Sequence, residues 1–302
     1  MTLTDLTQAY SADDQCRALL KKLRWPYGVE CLRCKSKSVN ELSDYAKFEC
    51  RECNYQFSVT TQTIFHDTHL ALEIWFMATL LLCEAKKGMS AHQLKRTLWG
   101  MNKGSYKTAW YLCHRIRKAM SLADRPMLDG TVEMDETYVG GKMRGKGHGW
   151  RADRPKEVVI GIRKRDGDLR FFRAEDAKTG TLKKYIEENI SADVDVIVTD
   201  SLQAYKGAVG DVEHKTVNHM VDEYARYEDG FCVTTNTVES AFSLLKRGIM
   251  GSWHKISAKH LPAYLAEMEF RFNRRKNPDL FIDTLRHMIT ADPLTFEKLT
   301  AA

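Results

Sequence analysis

A layered α/β domain behind a metal-binding ribbon and a small helical domain is the architecture that this 302-residue sequence predicts. Three observations carry it. Two Cys-x₂-Cys pairs stand near the front, Cys31-Leu-Arg-Cys34 and Cys50-Arg-Glu-Cys53, with fifteen residues between them. A helical pattern fills roughly 70–123. From about Met127 onward, β-branched runs and helical runs follow in the order β-β-β-α-β and then helices, which predicts a mixed sheet flanked by helices.

Paired knuckles at this spacing predict a tetrahedral Cys₄ site, most often structural zinc, with rubredoxin-like iron as the chemical alternative. Two disulfides in a secreted module would need a leader, and Met1 to Cys16 has no apolar signal core. The other cysteines (Cys16, Cys83, Cys113, Cys232) are scattered, as expected for reduced thiols in a cytoplasmic protein. A closed S₄ site has no open position, so it folds a module and does not catalyse.

The longest apolar stretch, Ile74 to Cys83, is too short to span a bilayer and predicts a buried helix, with no membrane partner. Charge is uneven. Residues 1–125 hold 19 Lys+Arg against 12 Asp+Glu, and the remainder holds 27 against 28. The front is therefore the expected footprint for a polyanion, although many solvated surfaces carry a similar excess.

Within the helical region, Leu70 to Glu84 has the apolar density of a core helix, and Gly88 breaks it. Ser90-Ala-His-Gln93 has the spacing of a capping box, and that helix ends near Gly100. Gly104-Ser105 starts another, Tyr106 to Met120. Two helices joined by a tight turn resemble a helix-turn-helix, which makes Lys107, His114, Arg115, Arg117 and Lys118 candidate DNA contacts. The competing interpretation is a plain bundle with a solvated basic face.

In the back half, Thr131 to Val139 reads as a strand with Glu133 and Asp135 on one face and Glu136 on the other. Gly140 to Gly149 is a Gly-rich basic loop without phosphate-loop spacing, either a DNA-touching loop or a linker. Glu157 to Lys164 and Asp168 to Arg173 predict a hairpin around Asp166-Gly167. A helix over Thr179 to Glu188 leads into a strand, Val194 to Thr199, and Asp200 follows where a carboxylate faces a ligand crevice. Glu239, Ser243 and Lys246 share one face of a later helix, though Asn236-Thr-Val-Glu239 also has capping-box spacing. Asp135, Asp200 and Glu239 together predict a site for two Mg²⁺ (or Mn²⁺) ions and phosphodiester chemistry, with the Asn236 amide oxygen as a further ligand. Arg271, Arg274 and Arg275, on a helix from about Ala258, are candidates for gripping a DNA backbone.

The chain resembles bacterial insertion-sequence transposases of the zinc-ribbon plus DDE type. The matching pieces are the two knuckles with Tyr55 to His66, then Met134-Asp-Glu-Thr-Tyr-Val-Gly-Gly-Lys142, Val198 to Tyr205, Val217-Asn-His219, Asn236 through Lys246, and Phe270-Arg-Phe-Asn-Arg-Arg275. The resemblance implies an RNase-H-like core with Asp135, Asp200 and Glu239 as metal-binding acids and Lys246 as the basic residue after the third. It leaves the third position between Glu239 and Asn236, with the spacing to Lys246 favouring Glu239. It also implies metal-dependent cleavage at the element's terminal repeats and strand transfer of the freed 3′-hydroxyl into target DNA. The expected assembly is a homodimer or larger on DNA, cytoplasmic and nucleoid-associated.

The domains expected are a ribbon with an N-terminal helix over 1–65, a helical DNA-binding domain over 66–125 and the catalytic domain over 126–302. Two other function classes remain compatible. A non-catalytic zinc-ribbon DNA-binding regulator predicts a lost acid, whereas a metal nuclease without strand transfer keeps all three.

Overall fold

The computed structural model describes residues 1–42, 46–121, 125–140 and 156–301. Beyond Gly140, the Gly-rich basic loop lies outside the described residues. Two compact units divide the chain, Met1–Ser121 with Arg274–Ala302, and Leu122–Asn273.

The first unit opens with α1 (Leu3–Ala9) and α2 (Asp13–Arg24), then the antiparallel sheet β1 (Val39–Leu42), β2 (Lys47–Cys50) and β3 (Gln56–Phe57). So small a sheet buries little, and an aromatic cluster stabilises it: Trp25 meets Phe48 at 5.4 Å and Phe57 at 5.9 Å, both edge-to-face. Next come α3 (Leu72–Glu84), α4 (Ala91–Trp99) and α5 (Tyr106–Met120). As its composition predicts, α3 is buried on most sides, through Trp75, Phe76, Leu80 and Leu82. Ser90 caps α4, its hydroxyl accepting the Gln93 amide at 3.1 Å.

Gly100 ends α4 with φ 77°, and Gly104 has φ 72°. A Cβ on Gly104 would lie 2.9 Å from the Trp99 ring, so the tight α4–α5 turn needs glycine there twice over. Near the C-terminus, α10 (Leu280–Thr290) returns to this unit and packs on α2, α3 and α5, with Phe281 edge-on to Phe76 at 5.7 Å. A short α11 (Phe296–Thr300) follows.

This packing corrects part of the expected basic face of α5. Arg115 is 4% exposed and Arg117 1% exposed. The Arg115 guanidinium donates to the His66 carbonyl at 2.6 Å and stacks on Trp75, so it braces the bundle interior. His114 is buried as well, whereas Lys107 and Lys118 are exposed.

The second unit is a five-stranded sheet in the order β6-β5-β4-β7-β8. Its strands are β4 (Thr131–Val139), β5 (Glu157–Lys164), β6 (Leu169–Ala174), β7 (Val196–Asp200) and β8 (His214–Val217). The first three are antiparallel neighbours; β7 and β8 run parallel to β4. The predicted hairpin turn is present, with Asp166 at φ 58° and the Lys164 amide donating to the Asp168 carbonyl at 2.9 Å. This is the RNase-H-like arrangement.

Alternating side chains give the sheet two cores. Val132, Met134, Ile160 and Ile162 face α6 (Thr179–Asn189) and α7 (Gln203–Ala208), where Leu182 and Tyr205 are buried. Val139, Val159 and Phe171 face α8 (Asn236–Gly248) and α9 (Leu261–Asn273). A two-stranded ribbon, β9 (Arg226–Glu228) with β10 (Phe231–Val233), precedes α8. Asn273 ties the end of α9 to β6, exchanging two 2.8 Å bonds with the Leu169 backbone. Arg271 is 6% exposed and paired with Glu267 at 3.1 Å, which removes it from the expected DNA-gripping surface. Among the described residues, no helix is long and apolar enough to cross a membrane.

Gly161 lies opposite Asp135 in the β4–β5 register. A Cβ there would meet Phe242 at 2.7 Å and Val238 at 2.9 Å, so the missing side chain lets α8 lie directly on the strand beside Asp135. Gly161→Val is expected to lower unfolding free energy by about 1–3 kcal/mol, the usual cost of overpacking. A denaturant titration at wild-type stability would show that α8 has room to spare.

Candidate active site

Parallel pairing of β4 with β7 sets Glu133 opposite Val198. Continuing that register by two residues brings Asp135 level with Asp200, the last residue of β7. Their carboxylates meet where β7 ends beside the middle of β4, and Glu136 joins them: one oxygen from each of Asp135, Glu136 and Asp200 lies within 4.8 Å of the others. The predicted alternation still holds. Glu136 turns toward α7, where the buried Tyr205 hydroxyl donates to its Oε2 at 2.9 Å. Asp135 Oδ1 accepts the Glu136 amide at 2.7 Å, and Asp200 Oδ1 accepts the Leu202 amide at 3.0 Å.

Charge is concentrated here at an electrostatic cost. Burial, then the neighbouring Glu136, Asp200 and Glu239 charges, push the Asp135 carboxyl up to about 8. Glu136 is raised too, by burial first and then by Asp200. Three hard oxygen donors that repel one another fit a divalent cation, which would relieve that repulsion.

Glu239 stands on the first turn of α8 and lines a groove of ≈ 640 Å³ together with Asp135, Ser243 and Lys246. Its Oε1 lies 2.8 Å from His219 Nε2 and accepts the Thr235 hydroxyl at 2.8 Å. The helix start is capped from outside. Glu133, fully buried, accepts the Thr237 amide at 2.9 Å, the Val238 amide at 3.1 Å and the Thr237 hydroxyl at 2.6 Å. Arg165 balances it at 3.0 Å and donates to the Cys232 and Thr234 carbonyls. Asn236 does not supply the cap that its spacing allows. It is exposed, and Glu239 is engaged by Thr235 and His219 instead.

In the first unit, the four ribbon cysteines come together, one sulfur from each within 4.8 Å of the others, a group that could hold one ion. Cys31 and Cys53 sulfurs are 3.6 Å apart, and those of Cys34 and Cys50 are 3.5 Å apart. A tetrahedral site with Zn–S near 2.3 Å needs roughly 3.7 Å between sulfurs. Burial opposes ionisation of the Cys31 thiol, but the Cys34 and Arg33 amides with the facing thiols outweigh it and bring it down to about 6.

Of the remaining basic candidates, Lys107 lies 4.1 Å over the Phe296 ring, Arg274 pairs with Asp283 at 2.8 Å, and Arg275 is exposed. Three features escaped the sequence reading. Glu136 was visible only as the second half of an Asp-Glu pair, and the Glu133–Arg165 cap had no sequence signal. The His219–Glu239 contact depends on strand register.

The fold and site define an RNase-H-like protein with an acidic centre where the end of β7 lies beside the middle of β4. Residues 127–273 match the family model of the ISXO2-like transposase domain, and residues 11–56 match that of the transposase zinc-ribbon domain. Both parts of a zinc-ribbon, DDE-domain transposase are thus matched, the ribbon in the first unit and the transposase domain in the second. It is 27% identical over 282 residues to an uncharacterized protein in transposable element ISH50 of Halobacterium salinarum, covering 87% of this chain and 92% of that one. It is also similar to a solved Drosophila P element transposase strand transfer complex, at 13% identity and a TM-score of 0.26. That match covers 76% of this chain and 62% of that one.

A cation must displace the proton from Asp135, so binding is linked to pH. With the folded carboxyl raised to about 8, the protonated fraction falls as pH rises, and competition with it falls too. Apparent Mn²⁺ affinity measured by calorimetry on the zinc-loaded chain is therefore expected to rise steadily from pH 6 to about 8. An affinity flat across that range would contradict the burial of charge described here.

Proposed function

We propose that this transposase cuts DNA at the ends of its element and joins the freed 3′-hydroxyl to target DNA, using a divalent-cation centre on Asp135, Asp200 and Glu239. Glu136 contributes a fourth carboxylate. The observation that carries the reading is the meeting of Asp135 with Asp200 across the β4–β7 pair, with Asp135 also lining the groove that Glu239 lines. Mg²⁺ or Mn²⁺ held there would supply Lewis acidity, favouring a hydroxide or alkoxide nucleophile and offsetting charge at the phosphate.

The chain's own residues do the rest. The Tyr205 hydroxyl orients Glu136 by holding one oxygen. Lys246, two turns along α8 from Glu239, offers a positive charge to a phosphate in the groove. Lys107, Lys118 and Arg275 are exposed cations for backbone contact, as sequence-independent affinity requires. The ribbon, the α4–α5 pair and the sheet domain serve as end-binding and catalytic modules, and joining two ends calls for a dimer or larger assembly on DNA. A regulator without catalysis would not need three acids at one groove. A simple nuclease would use the same acids, and only the products separate it from a transposase.

Asp200→Asn is expected to reduce cleavage and strand transfer of a labelled element end by at least a thousandfold, roughly the loss when a principal electrostatic group is removed. Binding in a mobility-shift assay should persist. Wild-type joining by this variant would refute the assignment; cleavage without joining by the unaltered protein would favour the nuclease.

A further inference from the structure

Strand register brings one more side chain to the acidic centre. β8 lies parallel to β7 with Val217 opposite Asp200, so the chain leaves the sheet level with the second acid. Asn218 then organises the turn. Its Oδ1 accepts the Met220 amide at 3.1 Å and the Ser201 hydroxyl at 3.4 Å, while its backbone N–H donates to the Glu223 carboxylate at 2.9 Å. Asp222 closes the turn at φ 56°.

This frame aims the His219 ring at α8. Nε2 is 2.8 Å from Glu239 Oε1 and 3.2 Å from the Thr235 hydroxyl, which donates to the same Oε1. The Tyr224 ring lies beside it at 5.6 Å. Glu239 Oε2 accepts no hydrogen bond among the described residues, and Glu239 lines the same groove as Asp135. Asn236 is exposed and absent from the groove wall.

We propose that His219, together with Thr235, is a positioning residue for Glu239: the pair holds Oε1 and so presents Oε2 to a divalent cation shared with Asp135. Glu239, not Asn236, is then the third ligand. The inference rests on the acidic-centre reading above. The physical reason is preorganisation. A free glutamate loses side-chain freedom on binding a cation, whereas one already held by two donors loses less.

Mn²⁺ titration followed by electron paramagnetic resonance, on the full-length zinc-loaded chain without DNA, tests it. His219→Ala is expected to weaken Mn²⁺ binding by about ten- to a hundredfold, the usual effect of removing a partner of a metal ligand. His219→Gln, which keeps a donor, should recover most of the loss, and the melting temperature before Mn²⁺ addition should match wild type. Thr235→Val should show the same direction and serves if His219→Ala does not fold. Asn236→Ala should bind as wild type does.

Unchanged affinity in His219→Ala and Thr235→Val, or a comparable loss in Asn236→Ala instead, would overturn the proposal. Failure of the acidic-centre reading looks different: the wild-type chain would bind no Mn²⁺, or Asp200→Asn would bind it as tightly.

Discussion

Parallel pairing of β4 with β7 is the constraint on which the rest of this site depends. Side chains on adjacent parallel strands share a level only when the register is right, and a slip of one residue would send Asp135 to the opposite face. Here the ladder of Thr131 with Val196 through Glu133 with Val198 projects directly onto Asp135 and Asp200. The same register, carried one strand further, delivers the turn with His219. Backbone hydrogen bonding far from any acid thus determines which acids meet.

The second constraint is the approach of α8 to the sheet. Gly161 removes the side chain that would hold the helix away, and Glu133 takes up the helix's first free amides from below. A buried carboxylate in that position is stabilised by the helix dipole and by Arg165, so one interaction neutralises a charge and places a helix. Glu133 and Asp135 are neighbours on one strand face with opposite circumstances. The first is satisfied by hydrogen bonds, while the second is raised to about 8 by burial and by other acids. That contrast separates a structural carboxylate from one arranged for a cation.

Much of this was legible in the sequence. The knuckle spacing, the hairpin around Asp166-Gly167, the Ser90 cap and the start of α5 after Ser105 are local features, and local chemistry determines them. Strand boundaries for β4 matched because its alternation is strong. What was hidden depends on tertiary packing. Arg115, Arg117 and Arg271 read as surface cations because charge normally stays in water, yet each is buried, with Arg115 on aromatic rings and Arg271 against Glu267. The capping spacing at Asn236 was a true local option, displaced by a carboxylate 103 residues earlier in the chain. Glu136 was assigned correctly to the opposite face, but alternation says nothing about how far its side chain can reach past the end of the neighbouring, shorter strand β7.

Anomalous diffraction from crystals soaked in Mn²⁺ is the most direct measurement of the central claim, that Asp135 and Asp200 form a cation centre that Glu239 completes. The account predicts peaks between the Asp135 and Asp200 carboxylates, about 3.5–4 Å apart if two ions bind, with a Glu239 oxygen as a ligand. Density elsewhere, or no ion touching both aspartates at saturating Mn²⁺, would contradict it.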